Sequence, residues 1–84
     1  MDYLVEHIAR VLEERREYVG MSKAELARRR DLTEKVIGSS LLGERCIKAQ
    51  ELVVICHCLG LPLDSLITPW LRRELEGRYP KYLG

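Results

Sequence analysis

Glycine and proline cut this 84-residue chain into pieces that suit short helices and little else. Gly20, Gly43 and Gly60 each follow a run of apolar residues at helical spacing. A glycine just past a helix takes the left-handed conformation at almost no steric cost, so each reads as a stop. Pro62 prevents continuation beyond Gly60, and Pro69 after Thr68 suits a first helical position. No stretch alternates apolar and polar residues as a half-buried strand would. An all-α fold is therefore expected.

The pieces can be read in turn. From Asp2 to Tyr18, Leu4, Val5, Ile8, Val11 and Leu12 recur on one helical face. Ser22-Lys23-Ala24-Glu25 has the form of a capping box, with the serine accepting from the backbone three residues on and Glu25 reaching back to the serine N–H. Met21 and Leu26 are spaced as a hydrophobic staple. Leu26 and Ala27 are the core candidates of this second helix, which leads out through Arg28, Arg29 and Arg30. Asp31-Leu32-Thr33 breaks the chain, and Thr33 can cap a third helix from Glu34 to about Leu42. Val36, Ile37 and Leu41 or Leu42 are its apolar positions. Gly38-Ser39-Ser40 weakens it; the glycine alone costs about 1 kcal/mol relative to alanine. A loop at 44–47 precedes a fourth helix over 48–59, with Leu52, Ile55, Cys56 and Leu59 on one face. One short turn covers 63–67. A last helix capped by Thr68 runs to Glu76 and stops at Gly77, followed by an irregular tail.

At 9.8 kDa the chain holds one globule. With 46% hydrophobic residues it can bury a core, and with no Phe, one Trp and four Tyr that core must be aliphatic. The net charge of +1 gives no global nucleic-acid signal. The charge is uneven, however: residues 1–20 carry −2, residues 21–50 carry +3 and the remainder balances. Asp2 and Glu6 stand where a signal peptide would be basic, and the most apolar stretch, from Leu52 to Leu63, falls short of the ~20 residues of a membrane span. Three cysteines, an odd number, suit a reduced, cytoplasmic chain.

The basic middle third coincides with a motif. Two short helices joined by a tight turn, the first with a small residue at its crossing point, outline a helix-turn-helix. Ala27 lets the helices cross closely, while Leu32 and Ile37 anchor the second one. The quoted residues Met21-Ser22-Lys23-Ala24-Glu25-Leu26-Ala27, then Asp31-Leu32-Thr33, Ile37 and Gly43, resemble the Cro and phage-repressor (Xre-type) DNA-binding domains. Leu52, Ile55, Leu59-Gly60-Leu61 and Leu63-Asp64-Ser65-Leu66 extend the resemblance over about residues 8–67. It implies a lambda-repressor-like globule of five to six helices, residues 1–67 forming the helix-turn-helix domain and 68–84 an extra C-terminal helix and tail. It also implies a homodimeric transcription regulator that reads double-stranded DNA through the major groove with the helix after Thr33. Lys23 would touch a phosphate, Thr33, Glu34, Lys35 and Ser39 would face the groove, and Arg45 would meet the backbone again. Phosphate contacts of this kind position a protein, and base-edge contacts choose the sequence. The chain departs from the family at Asp31, where glycine is common, at Gly38, and at Leu41-Leu42. These departures leave a second reading: an antitoxin-like interaction module with weak or no DNA binding, using Leu41, Leu42 and the Trp70 helix.

Other features point elsewhere or nowhere. Cys56-His57-Cys58 resembles a metal fragment, but on a helix residues two apart lie ~200° round the axis, so the thiols diverge. A buried Cys56, a less buried Cys58, a solvent-facing His57 and a loop Cys46 are expected, with no metal or other cofactor. His7 and His57 lie on separate helices and no nucleophile motif or phosphate loop is present, so no catalytic residues and no enzyme are expected. Trp70, Leu71 and Leu75 recur at helical spacing. They either pack back on the domain or form a dimer surface, aromatic residues being frequent at interfaces.

Overall fold

In a computed structural model the described residues are 2–30 and 34–81, without the side chains of Arg30 and Glu34. Five α-helices follow one another: α1 (Tyr3–Val19), α2 (Lys23–Arg30), α3 (Glu34–Leu41), α4 (Ala49–Leu59) and α5 (Pro69–Arg78), with a short 3-10 turn (Leu63–Leu66) before the last. The described residues contain no strand. The all-α expectation therefore holds, in an elongated globule of 43 × 25 × 21 Å. Asp31, Leu32, Thr33 and Tyr82 lie outside the described residues.

The helix ends are built from local chemistry. Asp2 caps α1 by accepting from the Leu4 N–H at 2.7 Å. Gly20, at φ +75°, ends it and donates its own N–H back to the Arg16 and Glu17 carbonyls. Arg16 pairs with Glu13 and donates to the Met21 carbonyl at 2.7 Å, fastening the turn into α2. Ser22 caps α2 through the Glu25 N–H at 3.1 Å. The reciprocal half of the capping box does not form: the Glu25 carboxylate pairs with Arg28 and Arg29 instead, because two charged partners one turn ahead outcompete a neutral backbone donor behind. Thr68 caps α5 from the Leu71 N–H at 3.3 Å. Gly77 does not stop that helix, which continues to Arg78. Arg78 is held from the side, bonded to Glu74 at 3.3 Å and lying 4.5 Å over the Tyr3 ring.

The core is aliphatic. Leu12, Leu26, Ile37, Ile55 and Leu59 are fully buried, joined by Ala27, Leu41, Cys56 and Leu66. Each large side chain so buried contributes about 1.5–3 kcal/mol. α2 and α3 pack on each other, α3 also touches α1, and α4 packs on α1 and α2. Gly43 is required by its backbone: its φ is +77°, where an L side chain is strained, whereas a Cβ there would make only ordinary contacts, 3.6 Å from Ala9 Cβ and 3.7 Å from the Glu6 backbone. Arg15 completes the far end of α4, donating to the Leu59 and Gly60 carbonyls at 3.0 Å each.

Candidate nucleic-acid interface

The α2–α3 pair is assembled from the inside. Leu26 and Ala27 on α2 and Ile37 on α3 are all buried, and α2 and α3 pack on each other. Of the two candidate anchors near the end of α3, Leu41 turns inward and Leu42 outward, 68% exposed. Ser40 is also buried; its hydroxyl donates to the Val36 carbonyl at 2.9 Å, a turn back along the same helix.

The opposite side of α3 is open. Lys35 is exposed, Gly38 and Ser39 are half-buried, and Leu42 follows at the helix end. Positions 35, 38, 39 and 42 share one helical face. Gly38 has no packing reason within the described chain, since a Cβ built there meets nothing within 4 Å. The weakness of this helix is thus spent on its surface and not on its core.

The sequence-derived site residues fall in different places. Lys23 opens α2 half-buried, with its charge close to Glu13. The Glu13 carboxyl lies below the usual carboxylate range, chiefly through its hydrogen bond to Arg16, against the opposing effect of burial. Lys35 and Ser39 share the outer face of α3. Glu34 lies on α3, its side chain outside the described residues, and Thr33 is outside them altogether.

Arg45 is committed inside the fold. Its guanidinium grips Glu51 at 2.9 and 3.2 Å and donates to the Ser40 hydroxyl at 2.6 Å. Glu51 is only 4% exposed, and its hydrogen bond raises the Arg45 pKa further. The pair ties the loop after Gly43 to α3 and α4 and cancels one cation of the basic middle third. Sequence reading missed Glu51. The available signal was its position as the single charged residue in the apolar run from Ala49 to Leu59.

Arg28 and Arg29 lie exposed on α2, both engaged by Glu25. The Glu25 carboxyl is lowered below its usual range, first by the hydrogen bond from Arg29 and then by the charge of Arg28. Two arginines against one glutamate leave this edge net positive.

At the other end of the molecule, α5 packs back on α1. Trp70 stacks on His7 with ring centres 5.6 Å apart and meets Tyr3 edge-on at 6.4 Å. His7 is buried, and its Nε2–H donates to the Leu66 carbonyl at 2.9 Å. Leu71 is buried, so it offers no surface to a second chain, whereas Trp70 stays 46% exposed and Leu75 half-buried. The cysteines divide as their spacing requires. Cys56 is buried with its thiol pKa pushed up by burial, Cys58 is half-buried, His57 exposed and Cys46 exposed. Among the described residues no group of three or more His, Cys, Asp or Glu converges as metal ligands, and no helix is long and apolar enough to cross a membrane.

No protein-family model matches the chain, and no curated protein or solved structure matches it either.

Proposed function

We propose that the chain is a Cro- and phage-repressor-like (Xre-type) regulator, which binds duplex DNA by inserting the outer face of α3 into the major groove. The observation that carries this reading is the division of α3: Ile37 and Leu41 hold it to the core while Lys35, Gly38, Ser39 and Leu42 are left outward. A helix fits a groove about 12 Å wide, and small residues at its centre let the backbone approach the base edges. Lys35 can donate to guanine O6 and N7, and Leu42 can touch a thymine methyl. Lys23, at the N-terminus of α2, together with Arg28 and Arg29, would neutralise phosphates and fix the register.

Selection of bound fragments from a random duplex pool tests the reading. A shared motif among retained fragments is expected, with Lys35→Ala changing the preferred bases. Retention without any common motif, or with the same motif for both proteins, contradicts it.

A second reading is favoured by one specific observation. Leu42 is a large exposed aliphatic residue beside a groove formed by Ala9, Leu41 and the α1 residues Glu6, Arg10, Glu13, Glu14 and Glu17. An interaction module would use that acidic-rimmed apolar edge for a protein segment instead of DNA. Glu14→Lys separates the two: it reverses a charge on the groove rim and weakens a protein contact there, while lying outside the α3 face proposed for DNA.

A further inference from the structure

We infer that the groove between α1 and the end of α3 takes a cationic protein segment carrying an aliphatic side chain. The inference deepens the second reading above and rests on the groove being a protein site; it is independent of duplex binding. The groove encloses about 390 Å³, and its apolar side is formed by Ala9, Leu41 and the exposed Leu42. Its rim comes from one helix. At 100° per residue, Glu6, Arg10, Glu13, Glu14 and Glu17 fall within an arc of about 100° on α1. Four carboxylates therefore share this face with one guanidinium. Their neutralisation is uneven. Glu13 is held by Arg16, and Glu17 reaches the same arginine only at 4.0 Å. Glu6 and Glu14 stand four residues either side of Arg10, the spacing of helical ion pairs. Neither carboxylate pairs with Arg10 or with any other described residue. The rim is left net negative around an apolar patch.

Charge decides the occupant. Phosphates are repelled by this rim, which excludes nucleic acid from the groove. A second copy placed about a two-fold axis would set the same carboxylates against each other. A segment bearing lysine or arginine meets opposite charge as it enters. The apolar side adds the second requirement. Ala9, Leu41 and Leu42 offer no side-chain polar group, so the part of the segment lying over them is apolar. An aliphatic residue there takes Leu42, the most exposed of the large aliphatic side chains among the described residues, out of water. The contact is small, so binding is weak and reversible.

Fluorescence anisotropy on the full chain tests this with three short labelled peptides, circular dichroism confirming that each variant is folded. One peptide has leucines flanked by lysines, one has glutamates in place of the lysines, and one has serines in place of the leucines. The lysine–leucine peptide is expected to saturate below about 1 mM and the other two to bind about tenfold more weakly or worse. Its affinity should fall with added salt, since exposed charges are screened. Glu14→Lys should weaken it about tenfold, and Leu42→Ala should weaken it about threefold. Equal binding of the lysine–serine peptide overturns the inference, because the rim then attracts any cation. A preference for the glutamate–leucine peptide that Leu42→Ala weakens overturns the cationic partner and leaves the groove a protein site. Binding of none of the three, or binding that both variants leave unchanged, overturns the inference together with the second reading.

Discussion

The outer edge of α3 and the corner where α5 meets α1 are built on opposite plans. The corner is built from ring contacts: Trp70 touches Tyr3 and His7, the His7 ring reaches the Leu66 carbonyl, and Arg78 covers Tyr3. The α3 edge contributes little to its own stability. It carries Gly38 where nothing requires glycine, and it places Leu42 in solvent. Large aromatic side chains at the corner return packing energy to the fold. The small and flexible residues on α3 return none, so their presence is better explained by what approaches from outside. Interior and edge of α3 are thereby separable, and substitutions can test that separation.

The largest effect is expected at the inner face of α3. Ile37→Ala removes a fully buried anchor and should cost about 3 kcal/mol in denaturant unfolding, enough to loosen the open edge along with the core. Trp70→Ala should cost about 2 kcal/mol, less than a fully buried tryptophan because nearly half of the ring is in water. Its loss would leave duplex binding by the folded protein unchanged if corner and edge are independent. Gly38→Ala should act in the opposite direction. It should stabilise the fold by about 1 kcal/mol, since the methyl meets open space, and weaken duplex retention by obstructing close approach. Greater stability with unchanged DNA retention would break the distinction between the two regions.

The smallest effect is electrostatic. The Glu13 carboxyl is held below its ordinary value of 4.5 by Arg16 in the folded chain. A depressed carboxyl stabilises the fold above its unfolded pKa, and that contribution is lost as pH falls through the folded value. Stability should therefore drop below about pH 4.5, and Glu13→Gln should flatten that limb by less than about 1 kcal/mol, the usual limit for a solvent-accessible pair. Chemical unfolding at pH 7 and pH 3 measures the difference.

The helices were legible in the sequence because their ends are local events. Gly20, Gly43 and Gly60 sit at positive φ as their spacing implies, and Ser22 and Thr68 cap the helices that follow them. Leu26, Ala27 and Ile37 were legible as anchors for the same reason, since periodicity alone assigns them an inner face. Gly77 misled because contacts with Tyr3, from the far end of the chain, extend α5 by two residues. Arg45 was read as a contact to the DNA backbone; its ion pair with Glu51 was not legible, because Glu51 carries no sequence mark of burial beyond its apolar neighbours. The His7–Leu66 bond spans 59 residues, a separation at which pattern gives no information. On α4 the exposure of Val53 and Val54 agrees with the inner face that periodicity assigned to Leu52, Ile55, Cys56 and Leu59.

Salt dependence of duplex binding is the most direct test of α3 as a groove reader. Each phosphate neutralised contributes a slope of about −0.9 to log K against log salt. Binding at low salt with a slope corresponding to several phosphates is expected. Lys23→Ala should reduce the slope by about one, while Lys35→Ala should change which sequences are preferred. A folded parent protein that fails to retain any duplex at ~50 mM salt, where phosphate-driven binding is strong, would contradict the DNA-binding assignment.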